Sequence, residues 1–433
     1  MPAGQGTMLP VTSTATSAPQ AGDVLELTVG EVVHGGWCVS RQDDTGRAVF
    51  VRHALPGERV RATVTQPTAR FIRAEATEIL QPSADRVAPP CRFAGPGRCG
   101  GCDWQHASLA AQRRLKAAVI RQQLRRITGL DMTVVTEAIG GDDDGLGWRT
   151  VVSFAVDRHG VAGLRKHRSH EIVPIDRCLI AHELVTGADV TGKRWPGTQS
   201  VEIAVAPQTA ELGVLVSGRP AGLPELAADS VQIAARPGGR TPVRGRGYLI
   251  QRAAGRDWRV SLGGFWQVHP AAADTLARDV LAALAPRPGE HALDAYCGSG
   301  LFAGVLAAAV GPTGTVLAVE QNVAAARDAR HNLRPWPWAR VRHGDAAAVL
   351  SRTDLSDVAV VVLDPPRTGV ARPVIEALCT GPRRIAYVSC DPATLARDLR
   401  LLLDGGCELT GLRGYDAFPM THHVECLATL IRP

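Results

Sequence analysis

His291-Ala-Leu-Asp-Ala-Tyr-Cys-Gly-Ser-Gly-Leu301 is the stretch on which the reading of this chain turns. A short apolar run ends in Asp294, a turn carries Tyr296, Gly298 and Gly300, and Phe302 to Val310 is an apolar run of helical length. The pattern predicts a strand, a glycine turn and a helix. Glycines at such a turn let the backbone pass close to a ligand, and the free N–H groups of the helix start suit that ligand's polar end. A tight strand-to-helix turn also explains two glycines without any ligand, so the weight falls on what flanks it.

From Arg256 onward strand and helix patterns alternate, which predicts a doubly wound parallel sheet. Thr315 to Val319 is the second strand, with Glu320 at its end placed to accept hydrogen bonds from ribose hydroxyls; Asp345, after Val341, would lie near the base of the same nucleoside. Each acid taken singly is equally a helix cap or a solvated loop residue. Val358 to Leu363 ends in Asp364-Pro365-Pro366-Arg367, where the prolines stiffen the turn and the aspartate projects into the cleft at the strand's carboxyl end. Another strand closes at Ser389-Cys390-Asp391-Pro392, and Pro392 suits the first turn of a helix. Cys390 is thereby expected at the positive end of a helix dipole, which favours its thiolate. Near the C-terminus, Thr421-His422-His423-Val424-Glu425-Cys426 offers Glu425 as a base, with His422 and His423 as competitors.

Upstream, Val24–Val29, Ala48–Val51, Arg59–Val64 and Phe71–Ala76 alternate in the manner of short strands, with Leu55-Pro56-Gly57-Glu58 as one of the turns. A small antiparallel barrel is expected. Cys91, Cys99 and Cys102 then fall within twelve positions on a glycine-rich loop, and Cys178 stands far downstream. Four thiolates fit a cubane iron–sulfur cluster or a tetrahedral zinc, and two residues between Cys99 and Cys102 are common to both. Ser108 to Thr128 reads as one helix with an apolar face at Leu115, Val119, Leu124 and Ile127; Arg113, Arg114, Lys116, Arg121, Arg125 and Arg126 make it basic, suited to a solvated face or to phosphates. Trp148 to Val260 is strand-rich, with a basic loop at Arg165-Lys166-His167-Arg168.

Composition bounds the rest. A chain of 433 residues, 45% hydrophobic, can build two or three cores, and its net charge of +6 is carried almost wholly by arginine, since Lys116, Lys166 and Lys193 are its only lysines. No run approaches the ~20 apolar residues of a membrane helix. Residues 1–22 hold no charged side chain and lack the apolar centre of a secretory signal, so they are expected to form a disordered tail on a cytoplasmic protein.

Several of these blocks resemble known families. Residues 23–80, with their Pro-Gly-Glu turn, resemble the TRAM domain, an OB-like RNA-binding module. The glycine turn with Glu320 and Asp345 resembles the S-adenosylmethionine site of class I methyltransferases. The loop Cys91-x7-Cys99-Gly-Gly-Cys102 looks like the [4Fe-4S] loop of the RNA uridine C5-methyltransferases, in which a distant cysteine, here Cys178, completes the set. Ser389-Cys-Asp-Pro-x-Thr-x-x-Arg-Asp398 and His422-His-Val-Glu425 are similar to that family's two signatures, which assign Cys390 as nucleophile and Glu425 as base. Gly263 to Pro270 resembles the family's segment whose glutamine contacts the cofactor. The resemblance therefore implies Gln267, Tyr296, Gly298, Glu320, Asp345 and Asp364 at the cofactor and Cys91, Cys99, Cys102 and Cys178 at the cluster. It also implies a basic residue, here Arg149, near the substrate. Leu301 stands where relatives often carry asparagine. Arg367 in place of an aromatic residue argues against amine methylation.

The expected architecture is an α/β class I methyltransferase, a Rossmann-like doubly wound sheet over 256–433. An OB-like barrel over 23–80 and a central β-rich cluster-binding domain over 81–255 precede it, with helix 108–128 in the latter or packed on the catalytic domain. The expected activity is S-adenosylmethionine-dependent methylation of uridine C5 in structured RNA, transfer or ribosomal, by a monomer. A second reading is an RNA-binding or RNA-folding protein in which methylation is incidental or lost.

Overall fold

The computed structural model describes residues 19–41, 46–140, 144–236 and 239–433. The tail expected over 1–22 lies outside the described residues up to position 18; Gly22 already donates its N–H to the Val64 carbonyl and so belongs to the first sheet.

That first sheet has the strand order 24–28, 59–67, 71–81, 48–52, 37–41, 32–33. Its two edge strands follow each other in the chain with only residues 29–31 between them, so the sheet must curl until its edges meet. Gly30 N–H to Val39 O, at 2.7 Å, and Val29 N–H to Glu58 O, at 2.8 Å, mark the join. Val49, Val51, Val60, Ala62, Ile72 and Ala74 point inward at alternate positions, as a half-buried strand requires. The turn acid Glu58 is fully buried and accepts from Leu55 N, Ser83 N and Arg86, fixing how the chain leaves the barrel.

The catalytic sheet has eight strands in the order 339–343, 315–320, 291–294, 358–363, 384–389, 425–431, 408–416, 136–138. The first five are parallel, and 425–431 runs antiparallel to both of its neighbours. Near-continuous apolar runs such as Val358–Leu363 follow from burial on both faces.

The 81–255 unit expected from sequence is not one body in space. Leu109–Thr128, capped by Ser108 and ended by Gly129 in the left-handed region, packs on helix Pro392–Asp404, and Thr136–Ala138 adds a parallel edge strand beside 408–416. The reason is at Lys116, which is fully buried and pairs with buried Asp416, while Gln112 accepts from Met420 N–H and donates to Met420 Sδ. Lys116 is therefore no phosphate ligand. Arg114 is taken by Asp85, and Arg113 Nε lies 3.3 Å from Asp416 without hydrogen-bond alignment. Among the described residues, the exposed basic side chains of that helix without a carboxylate partner are Arg121, Arg125 and Arg126.

The central sheet, seven strands from 151–156 to 239–244, is a separate body with its own core around Trp195, Val201 and Val214. The boundary expected at 255/256 falls in the turn of the hairpin Tyr248–Ala253/Arg256–Ser261, whose strands pair throughout. Among the described residues no helix is long and apolar enough to cross a membrane.

Candidate active site

Sheet register assembles the reacting groups. Leu363 pairs with Tyr387, and Ser389 pairs with Cys426, so the residues just beyond these ends, Asp364, Cys390 and Glu425, meet at one rim of the sheet. Arg367, in the turn after Asp364, joins them; it opposes the rise of the Cys390 thiol and bonds to its sulfur. Burial, reinforced by Glu425 and Asp364, nevertheless pushes that thiol up to about 11. This corrects the expectation of a thiolate held by the helix start. The free N–H groups of helix 392–404 are served by Asp391, whose carboxylate accepts from Thr394 N at 2.8 Å, so the end of the dipole is already met by an anion. Burial, then the neighbouring Asp364, lifts Glu425 well above the ordinary carboxylate range, and burial lifts Asp364 to about 7.

The two histidines have other partners. His422 Nδ1 is 2.5 Å from Asp103 Oδ2, and Asp103 in turn accepts from Arg52 at 2.8 Å. Burial alone would raise Asp103, but His422 and Arg52 hold its carboxyl well below the usual range. Burial, then His422 and Arg367, push His423 down to about 3.

Residues 392–398 explain why the Asp364-Pro-Pro turn is rigid. Thr394 Oγ1 donates to Arg367 O (3.1 Å), Arg397 donates to Thr368 O (2.9 Å), and buried Asp398 accepts from Val370 N (2.8 Å) and Tyr387 OH (2.6 Å). A Cβ at Gly369, where φ is +80°, would strike Thr394 and Asp398 at 2.3 and 2.4 Å. Sequence reasoning quoted Thr394, Arg397 and Asp398 only as a signature and used Arg367 only to exclude another chemistry. Asp398 was traceable as an acid inside an amphipathic helix; the place of Arg367 depends on the turn that these three side chains hold.

The glycine turn forms as expected. Gly298 and Gly300 take φ of +53° and +98°, and nothing lies within 4 Å of where a Gly298 side chain would start, so the turn is open to a ligand there. Asp294, fully buried and pushed up to about 8 by burial, accepts from Ala303 N at 2.9 Å and pins the helix start; it was missed as a site residue, although an acid ending an apolar strand before the glycines signals it. Glu320 accepts from Gly298 N (2.9 Å) and Asn322 N (2.6 Å), holding the turn with both oxygens. The Ala371 backbone hydrogen-bonds the Tyr296 hydroxyl, so this side chain spans from the glycine turn to the Asp364 turn. Asp345 is exposed and caps helix 346–350 through Ala348 N. Gln267 is buried in the segment whose Trp266 packs on Leu301 and Val305, which is also why Leu301 is apolar.

Cys91, Cys99, Cys102 and Cys178 line one pocket together with Arg149. Arg149 therefore faces the thiols, not the Cys390 pocket. Burial pushes the thiols of Cys99, Cys102 and Cys178 up, and Arg149 opposes this at Cys99 and Cys178. Among the described residues no three His, Cys, Asp or Glu are drawn together closely enough to hold a single metal ion.

Comparison with known proteins places this geometry. A sequence profile of the tRNA (uracil-5-)-methyltransferase family matches residues 348–433, and one of the TRAM domain matches 20–77. A Streptomyces coelicolor protein named as an uncharacterized RNA methyltransferase is 50% identical, with 94% of this chain and 93% of that one covered. The chain belongs to the RNA (uracil-5-)-methyltransferase family. A second methyltransferase relative, from Streptomyces avermitilis, is 49% identical over 94% of this chain and 98% of its own. The crystal structure of the Pyrococcus abyssi tRNA (uracil-54, C5)-methyltransferase in complex with S-adenosyl-L-homocysteine shares the methyltransferase fold. It superposes with a TM-score of 0.69 over 94% of this chain and all of that one, at 22% identity.

Proposed function

We propose that this methyltransferase transfers a methyl group from S-adenosylmethionine to C5 of a uridine in structured RNA, transfer or ribosomal, through a covalent adduct between Cys390 Sγ and C6 of the base. S-adenosylmethionine supplies an electrophilic methyl group on a sulfonium. Uracil C5 is too poor a nucleophile to take it unaided, and addition of the Cys390 thiolate at C6 puts electron density on C5. Arg367, beside the sulfur, favours the thiolate and faces the charge that develops on the ring. After the transfer the C5 proton must leave so that the C6–S bond can break and the ring double bond return. Glu425 is the base assigned to that step: strand register sets it beside Cys390, whereas His423 is too weakly basic and His422 is bound to Asp103. The placement of Cys390 beside Glu425 by strand register is the observation that carries this reading.

The cofactor side is supported by the open glycine turn and by Asp294 and Asp364, buried acids with raised pKa values that suit a cationic ligand. Gln267, Tyr296, Gly298, Glu320 and Asp345 are the further residues assigned to it. The four cysteines are assigned to a [4Fe-4S] cluster. Four thiols that line one pocket are the donor set a cubane would need, each for a different iron, and Arg149 beside them would offset the negative charge of such a cluster. A colourless, anaerobically purified protein with stoichiometric zinc would overturn that assignment.

RNA carrying 5-fluorouridine tests the chemistry, because fluorine at C5 cannot leave as a proton. A stable complex joined through the Cys390 peptide is expected in the presence of S-adenosylmethionine. Retained cofactor binding with no adduct on any cellular RNA would refute the mechanism.

A further inference from the structure

The pocket that exposes Cys390 is walled by three parts of the chain: the catalytic rim, the barrel through His34, Trp37 and Arg73, and the central sheet through Arg168. His34 Nε2 reaches Asp391 Oδ2 at 3.2 Å, so the barrel stands directly over the helix start that follows the nucleophile. The guanidinium carbons of Arg73 and Arg168, which line the same pocket as Cys390, lie 5.7 and 6.0 Å from the centre of the Trp37 ring, with that of Arg52 at 5.9 Å. Among the described residues neither arginine pairs with a carboxylate, in contrast to Arg52 and Arg61 of the same barrel.

Two cations from different sheets line one pocket without a carboxylate partner of their own, since Arg73 donates to the neutral Gln66 Oε1 at 2.5 Å and Asp391 across the pocket is engaged by His34. They therefore repel each other, at a cost to the fold. Arg168 adopts φ +49°, a left-handed conformation costing a non-glycine residue about 1 kcal/mol or more. Its loop is clamped from behind by the cysteine loop. Gly100 N–H bonds Arg165 O at 3.0 Å, Cys99 bridges to Lys166, and a Cβ at Gly100 would lie 2.3 Å from His167 N. Strain of this kind persists where the surroundings over-determine it, and here they are built to present Arg168.

We infer that Arg73 and Arg168 together grip one backbone phosphate of the RNA, beside the nucleotide whose base enters the Cys390 pocket. This rests on the proposed RNA substrate. An anion between the two guanidinium groups relieves their repulsion, and arginine's planar fork suits phosphate. The inference also gives the cysteine loop a task, as the backing that fixes one jaw of this grip.

The test measures equilibrium binding of a fluorescein-labelled, uridine-containing single-stranded RNA oligomer to the intact chain and to R73Q, R168Q and the double variant, at several salt concentrations and without S-adenosylmethionine. Each single variant is expected to bind about tenfold or more weakly. The double variant should lose little beyond either single one, because both side chains serve the same phosphate. None of the three should fall below the parent's thermal midpoint, since neither side chain lies in a core or an ion pair and each substitution relieves the repulsion. Binding as tight as the parent's, or losses that multiply in the double variant, would overturn the shared site. The fluorouridine adduct separates this outcome from the mechanism: an adduct formed while all variants bind normally removes the grip and leaves the chemistry. Losses as expected without any adduct do the reverse.

Discussion

At Cys390 the resting protein holds a protonated thiol, because burial and two neighbouring carboxyl groups outweigh Arg367. Below a pKa of about 11 the thiolate fraction grows about tenfold with each pH unit. Alkylation of the Cys390 peptide by iodoacetamide, followed by mass spectrometry, should therefore accelerate by about that factor per unit across the neutral and mildly alkaline range; a rate that is flat there would mean a thiolate already formed. Replacing Glu425 by Gln removes the proposed proton acceptor but not the nucleophile. E425Q should accumulate a covalent complex with ordinary uridine RNA, its mass raised by the methyl group, whereas the parent turns over; only free enzyme and unmodified RNA would count against the role. Cys390 and Glu425 stood out as candidates in the sequence because each interrupts a pattern, a cysteine closing a strand and an acid opening one, and strand register brings the two together. Arg367 was not, since its place beside the sulfur depends on Thr394, Arg397 and Asp398 bonding the turn that carries it. The state of the thiol was misjudged for a related reason: the helix start was visible, but the competing cap by Asp391 and the two carboxyl groups across the rim are facts of space.

Among the elements, the strand–turn–helix around Gly298 carries a distinctive pH signature. Asp294 has its carboxyl raised to about 8 in the fold, against about 4 in an unfolded chain. Between those values the folded state holds the extra proton, so stability must fall as pH rises through this window and level off above it. The thermal midpoint of the ligand-free protein is expected to decline from about pH 4 towards about pH 8, and D294N should make the decline shallower. An unchanged slope in D294N would show that another group governs it. The strands and helices of this half were readable because apolar runs alternate with helical periods, and the glycine turn sits where its spacing indicates. The roles of its acids were less so: Glu320 holds the turn's own backbone and Asp345 caps a short helix, each using a local donor that the sequence lists but does not connect.

Over the whole molecule, the parts are joined by buried polar contacts around residues 103–116 and 416–422. Lys116 and Asp416, both fully buried, form the central one. K116M strands the Asp416 charge and should cost about 3–5 kcal/mol, whereas K116M/D416L, which removes both charges, should recover much of that loss. Denaturant unfolding followed by tryptophan fluorescence measures both, and equal losses in the two variants would deny the pair its role. Sequence spacing marked this helix as basic and left it either in the central domain or packed on the catalytic one; nothing local could reveal that one lysine is turned inward to meet an aspartate three hundred positions away.

Thr136–Ala138 sits at the edge of a sheet whose adjoining strand is 408–416. During synthesis this segment has to remain unpaired until strand 408–416 has emerged from the ribosome, and long-range pairings of this sort close slowly. The nascent protein therefore carries an open sheet position while residues 139–407 are made, a period in which chaperone engagement would matter more than for an enzyme whose domains finish one after another.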